Sequence, residues 1–370
     1  MRVLIIIGTR PEAIKMAPLV MRLRLDFDVK VCVTGQHREM LDQVLKLFQI
    51  IPDYNLNLMK PNQNLANLTG EVLNGVTNIL LQDEFDWVLV QGDTTSTMAG
   101  AMAAFYQKVP VGHVEAGLRT YNLGSPFPEE LNRQVTSKMA MLHFAPTEQS
   151  KKNLLNEGFS DNSISITGNT IIDALNWVLE NSAELDIKFP FDLKQSRTIL
   201  VTGHRRENFG YGFQQICEAL HTIANQKPDV QIVYPVHLNP NVREPVNRLL
   251  SNLPNIHLIE PLEYHQFVYL INQSTLILTD SGGLQEEAPS LGKPVLLMRD
   301  ITERPEVLEV GTVKLVGTNK QTIIEETMRL LNDPEVYQKM AYSHNPFGDG
   351  KASEKITQVL IDKQKMDKLK

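Results

Sequence analysis

The chain has 370 residues, 42% of them hydrophobic and 21% charged, with a formal net charge of −7; this exceeds one ordinary core and predicts two domains. It contains no run of about 18 apolar residues, which excludes a spanning helix, and its negative balance argues against a nucleic-acid partner, which wants a basic face. Its two cysteines, Cys32 and Cys217, supply neither a disulfide framework nor a zinc cluster, so a cytoplasmic protein with no membrane contact is expected.

The first element is a continuous apolar run at 3–7, too short for a leader peptide and followed at once by Gly-Thr-Arg-Pro-Glu, so it reads as a buried parallel strand. Pro11 is a favoured first-turn residue. The helix it starts puts Arg10 and Lys15 at the carboxyl end of that strand, the edge where open α/β sheets bind ligands; Lys15 also reads as a solvated helix lysine. VKVCVT at 29–34, a helix over about 37–48, a long helix over about 65–81 and WVLVQG at 87–92 continue a βα alternation that predicts a doubly wound parallel sheet. Asp93 and the residues Thr94, Thr95 and Ser96 follow, then an Ala-rich helix; taken alone, Asp93 reads as the N-cap. A strand at 109–114, carrying His113, delivers Glu115 and Arg119 to the same edge. SPFPEELNRQ then supplies Glu129, Glu130 and Arg133 behind Pro126 and Pro128. This is either a proline-fixed loop that holds carboxylates for use or a surface turn before an acidic helix start, the latter fitting Glu130 better than Glu129. A strand within 141–147, a helix ending near Gly158 and SISITGNTIIDAL bring the first domain to a close near Gly168, and the polar stretch 181–195 reads as a connector.

A second βα rhythm begins at 198–202 and leads into Gly203, His204, Arg205, Arg206 and Glu207. Three potential cations directly after a strand look like a diphosphate clamp, although Arg206 and Glu207 also read as a surface pair. QIVYPV follows with His237 at its end, then IHLIEPLEYHQF with Leu262 and Phe267. TLILTD at 275–280 is β-branched and apolar, and Ser281, Gly282 and Gly283 after it open a helix carrying Leu284, Ala288 and Leu291. A helix start offers unpaired N–H groups and the positive end of a dipole, and paired glycines let a diphosphate approach the backbone. Glu286 and Glu287 fall in its first turn, where a carboxylate can accept from sugar hydroxyls; the bland reading is a tight turn followed by helix-favouring glutamates. TVKLVG, helices over about 320–331 and 334–341, NPFGDGKASEKI and a last helix of about fifteen residues complete the chain. That last helix either packs back on the first domain or frays.

No Walker P-loop is present, and the nearest approach to G-x-G-x-x-G, at Gly210 and Gly212, lacks its third glycine, which disfavours nicotinamide chemistry. No dense His, Cys or Asp cluster marks a metal. What remains is a pair of α/β domains expected to face a cleft. One side carries the Gly-Gly turn, Glu287, Arg304 and His204, and the other Arg10, Lys15, Asp93, His113, Glu115 and Glu129. An anion reader opposite a set of carboxylates suits a nucleoside diphosphate sugar with the diphosphate as leaving group.

The segments GTRPEAIKMAP, QHREMLDQVL, GDTTST, GHVEAGLRT, SPFPEELNR, TGNTIIDAL, TGHRREN, YPVHLNPNVREP, TDSGGLQEEAPSLGKPVLLMRDITERPE and NPFGDG span Gly8 to Gly350. In this order they are similar to those of bacterial non-hydrolysing UDP-N-acetylglucosamine 2-epimerases. The resemblance implies an α/β chain of two Rossmann-like doubly wound domains in the GT-B fold. Residues 1–168 would form the first, with a C-terminal helix at about 353–370 returning to it, and 169–352 the second, UDP-binding one. It implies interconversion of UDP-GlcNAc and UDP-ManNAc through 2-acetamidoglucal, supplying ManNAc units for cell-surface polysaccharide, with no cofactor or metal and a homodimeric assembly.

Carried over by motif, Asp93, Glu115 and Glu129 are the acid–base and cation-stabilising set, with Glu129 or Asp93 moving the C2 proton and Glu115 stabilising charge. His204 would face the diphosphate. Ser281, Gly282 and Gly283 would hold phosphate through backbone N–H groups, Glu287 the ribose, and Arg10, Lys15 and Arg304 the phosphate or sugar. His113 and Arg133 join the substrate-binding set, Phe267 would lie by the uracil, and backbone near Leu262 would read its edge. Gln36, Arg206 and His237 mark the place where some members of the family hold a second UDP-GlcNAc, although Glu39 and Asn62 stand where other side chains are expected. The hydrolysing relatives, a GT-B glycosyltransferase and a silent nucleotide-sugar sensor are the competing readings.

Overall fold

The computed structural model describes residues 1–35, 38–58, 63–185, 187–191, 193 and 196–367. The chain divides into two compact units, Met1–Trp177 with Phe347–Lys370, and Val178–Pro346.

The first unit is a seven-stranded parallel sheet of β1 (Arg2–Ile7), β2 (Asp28–Val33), β3 (Tyr54–Asn55), β4 (Trp87–Gln91), β5 (Val111–Val114), β6 (Leu142–Ala145) and β7 (Ile164–Ile166), in the order β3-β2-β1-β4-β5-β6-β7. Its central strands read as unbroken apolar runs because helices cover both faces: Val3 to Ile7 of β1 and all of β4 are buried. Ile5 stands opposite Val31 on one side and Leu89 on the other. The edge strand β3 escapes sequence reading, since two residues carry no periodicity. The Ala-rich helix Thr95–Tyr106 buries Ala99, Ala101, Ala103 and Ala104, small side chains that let it lie close on the sheet. The last helix, Ala352–Asp367, packs on Arg10–Leu23. Its first turn is tied by Asp173, whose carboxylate accepts from Ala352 N–H (3.1 Å) and Ser353 N–H (2.7 Å).

The second unit is a six-stranded parallel sheet of β8 (Arg197–Thr202), β9 (Val230–Pro235), β10 (Ile256–Ile259), β11 (Leu276–Thr279), β12 (Val295–Leu297) and β13 (Val313–Leu315), in the order β10-β9-β8-β11-β12-β13. Helices such as Tyr211–Gln226 bury an apolar stripe, Phe213, Ile216, Leu220 and Ile223, against it. In both sheets the strand order reverses once, between β1 and β4 and between β8 and β11. The loops leaving those strands diverge to opposite faces, which opens a crevice at their carboxyl ends. The loops concerned are those the sequence marks: Gly8–Lys15 and Gly92–Thr95 in the first unit, Gly203–Arg206 and Asp280–Gly283 in the second.

Candidate active site

In the first unit the loop after β1 is held by Glu12, a buried carboxylate. It accepts from the backbone N–H groups of Gly8 and Thr9 (2.7 Å for Thr9) and from the hydroxyls of Thr94 and Thr97 (3.0 Å for Thr97). Burial pushes its pKa up while these donors pull it down. Glu12 thus ties the start of the Arg10–Leu23 helix to the loop after β4. Sequence reasoning missed it, although its place three residues after Thr9 has the capping-box spacing.

The reading of Asp93 as an N-cap is corrected: Thr94 caps the following helix, its hydroxyl accepting from Thr97 N–H at 3.1 Å. Asp93 instead pairs with Arg133 (2.5 Å), while Asn132 Nδ2 donates to the Asp93 carbonyl (2.9 Å). Arg133 also meets Glu130 at 3.2 Å. Glu130 is fully buried and receives Thr120 N–H and Tyr121 N–H, each at 3.0 Å, so it braces the loop rather than standing on a surface turn. Glu129, the first residue of the Glu129–Met139 helix, is half-buried, and its carboxylate has no ion pair or hydrogen bond among the described residues. Glu115 leaves β5 with φ +63° and is paired with Lys15, while Asn169 Nδ2 donates to the same oxygen at 2.8 Å.

His113, expected among the substrate contacts, has no exposed surface. Its Nε2–H donates to the Gly92 carbonyl (2.8 Å), and burial drives the ring down to about 3, so it is neutral. Its place is behind the Gly92–Asp93 turn, which it braces. Arg10 is half-buried at the helix start.

In the second unit the turn after β11 is organised by Asp280, which is fully buried. One oxygen accepts from His204 N–H and Arg205 N–H, both at 2.9 Å, and from Asn208 Nδ2 at 3.2 Å. This carboxylate binds the loops after β8 and β11 together, and nothing in the local sequence distinguishes it. Ser281 N–H is occupied by Thr279 Oγ1 (2.9 Å), so of the three backbone donors expected at the turn, those of Gly282 and Gly283 are the ones without a hydrogen bond among the described residues. A Cβ at Gly282 would stand 2.9 Å from Arg304 Nη1 and 3.0 Å from Glu303 Oε1, so any side chain there displaces the guanidinium. Arg304 is set over the turn by Glu286 (2.5 Å) and Glu303 (2.6 Å). Glu286 is therefore a buried brace rather than a hydroxyl acceptor, while Glu287 accepts from Tyr264 OH at 3.2 Å. Leu262 and Phe267 are half-buried, before and on the Tyr264–Gln273 helix.

Arg206 and His237 are exposed, and Glu207 pairs with Arg299 (2.8 Å) rather than with Arg206. The His237 ring stacks on His204 at 5.5 Å and 18°. Gln36 and Asn62 lie outside the described residues, as does the side chain of Glu39.

Residues 21–361 match the family model described as UDP-N-acetylglucosamine 2-epimerase. The UDP-N-acetylglucosamine 2-epimerase of Escherichia coli (strain K12) is 60% identical over 369 residues, covering 97% of this chain and 98% of that protein. Among solved structures, the UDP-GlcNAc 2-epimerase of Neisseria meningitidis bound to UDP-GlcNAc superposes with a TM-score of 0.91 at 54% identity, covering 98% of this chain and all of the other. That of Methanocaldococcus jannaschii, in complex with UDP-GlcNAc and UDP, does so with a TM-score of 0.81 at 35% identity, covering 98% of this chain and 99% of the other. With two Rossmann-like parallel sheets of the GT-B-like fold and likeness of this extent along nearly its whole length, the chain belongs to the UDP-N-acetylglucosamine 2-epimerase family of isomerases.

Proposed function

We propose that the enzyme interconverts UDP-GlcNAc and UDP-ManNAc without net hydrolysis, by eliminating UDP to 2-acetamidoglucal and adding it back. The observation that carries this reading is the unequal pairing of three carboxylates of one unit: Asp93 against Arg133, Glu115 against Lys15, and Glu129 without a partner among the described residues. Simple transfer or hydrolysis at C1 needs fewer.

The C2 proton has no adjacent carbonyl to acidify it, so departure of the leaving group must run ahead of deprotonation. The C1–O bond breaks with its electron pair going to UDP, C1 takes on oxocarbenium character, and Glu115 stabilises it. Glu129 or Asp93 then takes the C2 proton, closing the C1–C2 double bond. Return of a proton to the opposite face, with re-addition of UDP at C1, gives the epimer. In this reading Gly282, Gly283 and Arg304 hold the diphosphate with Arg10 and Lys15, Glu287 holds the ribose, and His204 faces the leaving oxygen. The intermediate hydrolyses only if UDP is released, so retention of UDP separates this enzyme from a hydrolysing one.

Incubation with UDP-GlcNAc in D2O, followed by NMR, tests the proposal. The expected product is UDP-ManNAc carrying deuterium at C2, with little free UDP. Free N-acetylmannosamine and UDP in equal amounts would overturn it in favour of hydrolysis.

A further inference from the structure

His204 is held by its backbone to a carboxylate whose second oxygen is unused. Asp280 Oδ2 takes three donors, whereas Asp280 Oδ1, with no exposed surface, has no hydrogen-bond partner among the described residues. A buried carboxylate oxygen left without a donor is destabilising, so its position asks for a donor within reach. His204 Nδ1 lies 3.6 Å from it, beyond the hydrogen-bond range of about 2.7–3.2 Å. Because His204 N–H is already fixed to the other oxygen of the same carboxylate, the residue cannot drift away, and a small side-chain rotation closes the gap. The alternative partner on the ring's face, His237, has its own Nδ1 occupied by Asn239 N–H (3.1 Å).

We infer that Asp280 is a positioning residue for His204, its free Oδ1 accepting Nδ1–H so that Nε2 is left as the ring atom that meets the departing diphosphate. The inference rests on the reading of His204 as the group facing that diphosphate. A carboxylate behind an imidazole fixes its tautomer and favours the imidazolium. When the C1–O bond breaks and its electron pair passes to UDP, Nε2–H of the imidazolium, whose Nδ1–H is held by Asp280, donates a hydrogen bond to the leaving oxygen. No net proton transfer is required, and the same bond is released as UDP adds back. The titratable and charged groups around the ring are Asp280 from the turn after β11, His237 from the end of β9 and Arg205 on its own loop. Burial lowers the His204 pKa, Asp280 opposes that, and His237 and Arg205 add to the lowering. Asp280 is thus the one neighbour that favours the protonated ring.

The test uses the full chain labelled with 15N-histidine, with His204 assigned by the resonance lost in His204→Gln. Two-bond 1H–15N correlation is expected to show neutral His204 protonated at Nδ1. In Asp280→Asn the amide N–H would donate to Nδ1 instead, switching the neutral ring to the Nε2–H tautomer; that ring keeps its Nε2–H donor after losing its charge, so the alkaline fall of kcat is expected to be shallower than in the wild type. A wild-type ring protonated at Nε2, or an Asp280→Asn enzyme with unchanged tautomer and pH profile, would overturn the inference. Should Asp280→Asn not fold, the wild-type tautomer decides alone. Titration with UDP separates the two layers: an Nδ1–H ring whose Nε2 signal ignores UDP keeps the Asp280–His204 pair and removes His204 from the diphosphate.

Discussion

Glu115 holds φ +63°, a left-handed conformation that costs a non-glycine residue about 1–2 kcal/mol. The strain persists because Lys15 and Asn169 grip the carboxylate, and it turns that group out from the end of β5 in a single orientation. Glu303 shows the opposite economy. Burial alone would raise its pKa, but Arg304 and Arg299 outweigh this and hold the carboxyl at about 2, against 4.5 ordinarily. A carboxyl with a depressed folded-state pKa stabilises the fold above its unfolded value and loses that contribution as pH falls toward the folded one. The gap corresponds to about 3 kcal/mol. Urea titrations between pH 7 and pH 3 are expected to show wild-type stability falling below about pH 4.5. In Glu303→Gln the curve should be flatter and start lower; parallel curves would remove Glu303 from acid stability.

The turns that leave the strands set where these side chains go, and their constraints come from neighbouring elements. Gly117, two residues after Glu115, has φ +94°, and a Cβ there would stand 2.3 Å from the Ser150 carbonyl oxygen. Its own carbonyl accepts from Asn153 Nδ2 at 2.9 Å, so the Glu148–Asn156 helix is seated on this turn. Gly117→Ala is expected to cost about 2 kcal/mol or more, read as a lower urea midpoint. It should also slow epimerisation by displacing Glu115, and a variant equal to wild type in both respects would contradict this. The alternation of strand and helix, and the delivery of charge to strand ends, were legible in the sequence because both follow from local periodicity. The distinction between Asp93 and Thr94 was not: each is a good cap by type, and Arg133, forty positions on, decides which is drawn away.

The chain returns to its first unit for its last helix, and one carboxylate ties the start of that helix. Asp173 accepts two N–H groups of the first turn of Ala352–Asp367, while Ile356 and Leu360 have no exposed surface. Asp173→Ala leaves those donors without their acceptor, a loss of about 1–2 kcal/mol. Hydrogen exchange is expected to quicken across 353–360 while the second unit keeps its protection; unchanged exchange would show the helix to be held by its apolar face alone.

The sequence by itself determined two doubly wound sheets, since continuous apolar strands alternating with amphipathic helices have few other ways to bury their surface. It also determined which residues reach the carboxyl ends of those strands. Only the tertiary structure decided how those residues are paired. Lys15 and Glu115 are 100 positions apart and His204 and Asp280 are 76 apart, and they meet because the strand order reverses between β1 and β4 and between β8 and β11. A hydrogen bond needs an approach of about 3 Å, which local periodicity does not encode. Of Asp93, Glu115 and Glu129, the pairing leaves Glu129 without a partner among the described residues, and it leaves Asp280 with an oxygen in reserve for His204.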